Sequence, residues 1–261
     1  MRLAVLGSPI AHSKSPALHA AAYAVLGLDW QYEAVEVAEG DLAGFIENLD
    51  ESWRGLSLTM PLKRAVLPLL SEADELVGRT GVANTVLLDR GVRGFNTDVY
   101  GITEAFRSNG VTALDDVQIL GGGATAVSAL VAAAALGTRR VQFTLRDPSK
   151  GAVLHELAAA LGVSVVDSLS PSAVISTLPG HVAHDFEISE AVRTSAVLLD
   201  VAYDPWPSAL GSLWEGPVIS GLEMLTLQAL AQVRVFVNGS ADAELTDEAV
   251  VLAAMRRAVA P

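Results

Sequence analysis

The chain has 261 residues, 51% of them apolar and only 18% charged, enough to build one large or two modest packed domains and too apolar for disorder. A formal charge of −13 leaves no general attraction for nucleic acid or an anionic membrane, so any anionic ligand has to be held by local positive groups. Cysteine is absent, which excludes disulfides, thiolate catalysis and cysteine-ligated zinc.

Residues 3–6 read as a short buried strand closed by Gly7-Ser8-Pro9, an apolar run too brief for a secretory signal. Ser15-Pro16 predicts a helix start, with Ser15 as N-cap, Pro16 at the first helical position and Gly27 as the stop. Residues 32–37 alternate as a strand, 41–48 suit a short helix, 55–58 form a third strand, and Pro61 is placed to open another helix. Further strands are expected at 82–88 and 93–95. Helices alternating with short apolar strands predict an α/β unit with a mainly parallel sheet.

A second unit opens with a strand at 117–120, a glycine cluster and an alanine-rich helix to about residue 136. A strand at 141–145, a helix at 151–161 and short strands at 164–166, 174–176 and 197–200 continue the rhythm of a doubly wound nucleotide-binding domain. Residues 222–236 and 246–259 are helical in pattern. The second of these has Thr246 as cap, Asp247 and Glu248 in its first turn, and Arg256 and Arg257 in its last. Residues 117–138 carry no charge, but their apolar part, 126–136, is too short to span a bilayer, and the expected location is the cytoplasm.

Gly121-Gly122-Gly123-Ala124-Thr125-Ala126 lies between a predicted strand and a predicted helix, with Gly121, Gly123 and Ala126 at the G-x-G-x-x-G/A spacing. Small residues there let the backbone approach a pyrophosphate, whose charge meets the helix N-terminus; the alternative is a tight turn and nothing more. The next strand ends without the acidic residue that would hold a free ribose in an NAD site. Arg146 follows at once and Lys150 a turn later, a pair suited to a 2′-phosphate, although Asp147 would favour NAD and a solvated strand end needs neither. His181 and His184 are three apart with no third ligand in view, so no metal site is expected, and His19 and His155 read as ordinary helix residues.

Polar clusters stand at predicted strand ends: Ser13-Lys14-Ser15-Pro16, Thr59-Met60-Pro61-Leu62-Lys63, Asn96-Thr97-Asp98, and Asn84 within Gly81-Val82-Ala83-Asn84-Thr85. Hydroxyls, an amide, one ammonium and one carboxylate suit a polyhydroxylated acid bound outside the carboxyl ends of strands. With Gly7-Ser8-Pro9-Ile10-Ala11-His12 before them, and Gly221-Leu222-Glu223-Met224-Leu225-Thr226-Leu227-Gln228-Ala229 near the C-terminus, these motifs resemble the shikimate dehydrogenase family in order and over essentially the whole chain. Tyr203-Asp204-Pro205-Trp206-Pro207 is similar to the actinobacterial type.

The resemblance implies a substrate domain over residues 1–98, completed by 222–261, and a Rossmann-like NADP-binding domain over 99–221. It implies that Ser13 and Ser15, with Tyr203, hold the substrate carboxylate, and that Thr59, Asn84 and Gln228 bond the ring substituents. Lys63 and Asp98 are then the catalytic pair, Gly121, Gly122, Gly123, Ala124, Thr125 and Ala126 cradle the pyrophosphate, and Arg146 and Lys150 grip the 2′-phosphate of NADP. The chain departs from the family at Val99 and Ala124, where glycine is usual, and at Leu145 and Asp147, where Asn and Thr flank the arginine. The expected activity is reversible, NADPH-dependent reduction of 3-dehydroshikimate by a monomer or homodimer that binds neither nucleic acid nor membrane. The alternatives are an NAD-preferring quinate/shikimate or aminoshikimate dehydrogenase and, from another class, a catalytically silent ligand sensor, which would not need Lys63 and Asp98.

Overall fold

The computed structural model describes residues 1–180 and 188–260. The chain divides into two compact units, Met1–Thr97 with Thr226–Pro261, and Asp98–Leu225. The first unit starts with β1 (Arg2–Gly7), α1 (Ser15–Leu26), β2 (Gln31–Glu36), α2 (Leu42–Glu47), β3 (Trp53–Leu58), α3 (Leu62–Ala65), β4 (Glu72–Ala73), α4 (Glu75–Thr80), β5 (Thr85–Leu88) and β6 (Val92–Phe95). The second holds α5 (Asp98–Ser108), β7 (Asp116–Leu120), α6 (Ala124–Ala135), β8 (Arg140–Thr144), α7 (Gly151–Ala160), β9 (Ser164–Val165), β10 (Ala173–Ser176), α8 (Glu190–Ser195), β11 (Val197–Asp200) and β12 (Val218–Ser220). Helix α9 (Gly221–Asn238) leads the chain back, and α10 (Glu248–Ala258) packs on α1.

Among the described residues the first sheet runs β2-β1-β3-β5-β6-β4. Strand β1 is buried on all but its first residue and pairs in parallel with β2 and β3. The register then reverses: β3 pairs antiparallel with β5, Ser57 opposite Thr85, and β5 antiparallel with β6, Thr85 opposite Phe95. The sheet is therefore mixed, and residues 82–84, expected inside a strand, form an irregular crossing before β5. This arrangement sets the carboxyl ends of β1, β3 and β6 and the amino end of β5 along one edge. Leu6, Leu56, Leu58, Leu62, Val66 and Val86 pack beneath them.

The second sheet runs β12-β11-β10-β7-β8-β9 and, among the described residues, is parallel throughout. Counted from β7, this is the 3-2-1-4-5-6 order of a Rossmann fold, and the winding reverses between β7 and β10. Helix α6 lies close because its buried face is small: Ala126, Ala129, Leu130 and Ala133 are fully buried. No helix among the described residues is long and apolar enough to cross a membrane.

Two helix starts differ from expectation. Pro16 sits in the first turn of α1, but Lys14, not Ser15, is the N-cap residue, and the backbone N–H of Ser15 donates to Ser13 Oγ at 3.3 Å. At α10 the N-cap is Asp247, in the left-handed region at φ 52° and without a capping side chain, rather than Thr246. Glu248 Oε2 instead holds the chain just ahead of the helix, accepting from Leu245 N at 3.0 Å.

The same carboxylate joins α10 to α9. Arg234 Nε donates to Glu248 Oε2 at 2.7 Å and Nη2 to Oε1 at 2.5 Å, a forked pair with side chains 7% and 18% exposed. Burial raises the Glu248 carboxyl, but the bonds from Arg234 and Leu245 outweigh it and hold the group below its ordinary value. A depressed carboxyl stabilises the fold above its unfolded value and loses that contribution as pH falls through the folded value. Glu248→Gln should therefore lower stability at neutral pH by about 2–3 kcal/mol, and the gap from the parent should narrow below about pH 4. Thermal melts of both proteins at the two pH values check this; an equal gap at both would mean that the charge of Glu248 is not its source.

Candidate active site

The shared edge of the first sheet gathers most of the polar residues singled out in the sequence. Gly7 ends β1, and a Cβ there would lie 2.4 Å from Thr59 Cγ2, so the loops after β1 and β3 lie side by side only because residue 7 is glycine. Backbone bonds lock them, Ser8 N to Met60 O at 3.0 Å and Thr59 N to Leu6 O at 2.9 Å. The first loop leads to Ser13, half-buried, and Ser15, 5% exposed. The second carries Thr59 and, in α3, Lys63, both half-buried; the Lys63 carbonyl accepts from Ala83 N at 2.9 Å and so ties α3 to the crossing at residues 82–84.

Asn84 stands at the end of that crossing, 2% exposed. Its backbone bridges two strands, with Leu58 N donating to Asn84 O at 2.7 Å and Asn84 N to Phe95 O at 3.1 Å. Its side-chain Oδ1 accepts from Thr97 N at 2.8 Å, and Nδ2 donates to Gln228 Oε1 on α9 at 3.1 Å. Asn84, Thr97 and Gln228 thus form one buried amide cluster. Thr97 is followed directly by Asp98, the first residue of α5 and 3% exposed.

No motif in the sequence points to what lies behind this cluster. His19, expected to be an ordinary helix residue, is fully buried; Nε2 meets Gln232 Oε1 at 3.2 Å, Nδ1 meets Tyr23 Oη at 3.1 Å, and the ring stacks on Tyr32 at 3.9 Å. Burial, opposed only by the Gln232 bond, lowers its pKa to about 3, so it is neutral at physiological pH. Gln232 lies one turn beyond Gln228, and that spacing is the one signal that could have found it. His12 is exposed, His155 bonds its own helix at Gly151 O, and His181 and His184 lie outside the described residues.

In the second unit the glycine loop leaves β7 at the point where the winding reverses. Gly121 has φ +103°, and a Cβ there would lie 2.5 Å from Thr177 Oγ1, the residue after β10, so both backbone and space demand glycine. At Gly122 a Cβ would come within 2.9 Å of Lys150 Cβ, which sets the Lys150 stem over the loop. Gly123 caps α6 and a Cβ there would meet nothing within 4 Å, so this glycine faces open space. Ala124 and Thr125 begin α6 and are half-buried, and Ala126 is fully buried. Backbone N–H groups at a helix start beside open space are an anion cradle of the kind that fits a dinucleotide pyrophosphate.

Arg146 is exposed just past β8. The Asp147 carboxylate beside it accepts from Ser149 N at 3.0 Å and Ser149 Oγ at 2.6 Å and so caps the turn that carries Lys150. Tyr203, half-buried after β11, has its hydroxyl pushed up by burial and by the charge of Asp204. Its loop is held by Asp200, which accepts from Ala202 N at 3.2 Å and from the Ser208 hydroxyl. Among the described residues no cluster of three or more acidic or histidine side chains could hold a metal ion.

Residues 5–86 match the family model described as the shikimate dehydrogenase substrate binding domain. A shikimate dehydrogenase (NADP(+)) from Ignicoccus hospitalis is 30% identical over 263 residues, covering 92% of this chain and 94% of that one. The crystal structure of Mycobacterium tuberculosis shikimate dehydrogenase is 34% identical with a TM-score of 0.84, over 98% of this chain and 99% of that one. The shikimate 5-dehydrogenase of Thermus thermophilus, in complex with NADP(H) and shikimate, is 29% identical with a TM-score of 0.84, over 99% and 100%. The chain also matches Pentafunctional AROM polypeptide 1 of Lodderomyces elongisporus at 29% identity, spanning 18% of its length. Matched in sequence over nearly the full length of the Ignicoccus enzyme, and in fold over nearly the whole of the mycobacterial one, the chain belongs to the shikimate dehydrogenase family.

Proposed function

We propose that this chain is an NADP-dependent shikimate dehydrogenase, reducing 3-dehydroshikimate reversibly to shikimate in the pathway to chorismate and the aromatic amino acids. The observation that carries the reading is the set of groups along one edge of the first sheet, Ser13, Ser15, Thr59, Lys63 and Asn84, in a member of this family. Two hydroxyls at the start of α1 suit a carboxylate. Thr59, Asn84 and Gln228 offer neutral donors and acceptors to ring hydroxyls. Tyr203, whose hydroxyl stays protonated, is a further donor for the carboxylate.

The dinucleotide, when bound, supplies the hydride. Gly121 to Ala126 would hold its pyrophosphate, and Arg146 with Lys150 its 2′-phosphate. Asp147 caps its turn through Oδ1 alone, and it is the two cations beside it, Arg146 and Lys150, that favour NADP over NAD. As hydride arrives, negative charge gathers on the ketone oxygen. The Lys63 ammonium stabilises that charge and gives the oxygen its proton, while Asp98 accepts from the neighbouring substrate hydroxyl. A ligand sensor would not need this acid. The enzyme would work in the cytoplasm, where a reductive biosynthetic step draws on NADPH, as a monomer or homodimer.

The defining experiment is oxidation of NADPH in the presence of 3-dehydroshikimate; binding without turnover would favour the sensor. Within an active enzyme, Lys63→Ala should lower kcat by about 10²–10⁴-fold with a much smaller change in KM, and near-parental turnover would remove Lys63 from the mechanism. Arg146→Ala should raise KM for NADP by roughly 10- to 150-fold and leave NAD nearly unaffected. Equal losses with both cofactors would refute the phosphate clamp.

A further inference from the structure

Strand β6 ends at Phe95, and the next two backbone N–H groups go to side chains. Asn96 N donates to Asp74 Oδ2 at 3.3 Å, and Thr97 N donates to Asn84 Oδ1 at 2.8 Å. An N–H can only donate, so Thr97 settles the orientation of the Asn84 amide, whose Nδ2 then meets Thr97 Oγ1 at 2.9 Å and Gln228 Oε1 at 3.1 Å. The segment that carries Thr97 is in turn held by the two ends of α4. Asp74, the N-cap, accepts from Val77 N at 2.6 Å through Oδ1 and from Asn96 N through Oδ2. Thr80, the last residue of α4 and 4% exposed, accepts from Asn96 Nδ2 at 3.0 Å and from Val82 N at 3.4 Å, and donates to Leu76 O at 2.6 Å. Val82 opens the crossing that ends at Asn84. Helix α4 is therefore fastened to both chain segments that meet at the Asn84 amide.

We propose that Asp74 and Thr80 are positioning residues for the substrate site: by holding Asn96 and Val82 to the two ends of α4, they set the spacing at which Thr97 grips the Asn84 amide. This rests on the function proposed above, in which Asn84 bonds the substrate ring. Thr80 Oγ1 has its donor and both acceptor positions in use within the protein, so its hydroxyl acts through Asn96 and not on a ligand. Capping α4 asks one oxygen of Asp74, and serine or asparagine would supply it without a buried charge. Burial raises the Asp74 carboxyl above its ordinary value, against the backbone bonds from Val77 and Asn96, and the charge of Asp242 adds to the rise. What the carboxylate adds over a neutral cap is a second acceptor, and Asn96 N fills it.

The test is the steady-state kinetics of Asp74→Asn, Thr80→Val and Thr80→Ser beside the parent. Asp74→Asn keeps an oxygen for the cap and turns an NH2 group toward Asn96 N. Thr80→Val keeps the shape and removes the hydroxyl, and Thr80→Ser restores it. The first two should each raise KM for shikimate about 5-fold or more, the worth of one hydrogen bond, with KM for NADP and kcat per folded enzyme within about 3-fold of the parent. A rise in KM at steady kcat marks binding lost equally from substrate and transition state, which a general loss of stability does not produce. Thr80→Ser should bring the shikimate KM back to within about 2-fold of the parent. A shikimate KM within about 2-fold of the parent in either Asp74→Asn or Thr80→Val, equal rises for shikimate and NADP, or a Thr80→Ser variant no better than Thr80→Val overturns the proposal. Should one of the two not fold, the other decides alone; if neither folds, α4 is a structural prop and the proposal falls. A parent inactive on shikimate is a different outcome, which sinks the proposed function and this inference with it.

Discussion

A primary amide carries two donors and two acceptor positions, and each one left unmet in a dry interior costs about 1–3 kcal/mol. The first unit is arranged around meeting that demand for the buried amides of Asn84 and Gln232. Strand β3 supplies Ser57, β5 supplies Thr85, β6 leads to Thr97, α1 supplies His19, and α9 supplies Gln228 and Gln232. Because partners come from so many elements, the irregular crossing at residues 82–84 is held as firmly as a strand. The edge it serves is therefore built on fixed backbone, with the hydroxyl-bearing loops after β1 and β3 fastened to it.

The second unit solves a different problem, making room for a charged group against its own backbone. Reversal of winding between β7 and β10 opens a crevice at their carboxyl ends, and Gly121 keeps it open beside Thr177. The difference between the three glycines is informative. The first two avoid collisions within the protein, whereas a Cβ at Gly123 would meet nothing within 4 Å. In a chain of net charge −13, Lys150 lies over the glycine loop and Arg146 stands exposed just past β8.

Much of this was legible in the sequence, for local reasons. A strand, three glycines and an alanine-rich helix in succession announce a nucleotide-binding turn, and Ser13, Thr59 and Asn84 stand out as polar residues between apolar runs. Strand direction was not legible: residues 82–88 and 93–95 are apolar enough for strands, but periodicity does not say that β5 runs against β3. Nor was the start of α10, where an Asp in the left-handed region displaced the expected Thr246 cap and a glutamate bonds the chain ahead of the helix. His19 and Gln232 are 213 positions apart in the chain, and only the fold makes them partners. Asp147, which in sequence argues for a ribose hydroxyl, also caps the turn that carries Lys150, a role visible only in the structure.

In the proposed function a neutral, fixed set of donors selects shikimate, while Arg146 and Lys150 select NADP. The most direct measurement is the matrix of kcat/KM for shikimate and quinate, each with NADP and with NAD. Shikimate with NADP should give the highest value; exchanging the acid should lower it, and exchanging the cofactor should lower it independently. A higher value with quinate would contradict the reading of the first unit, and a higher value with NAD would contradict that of the second.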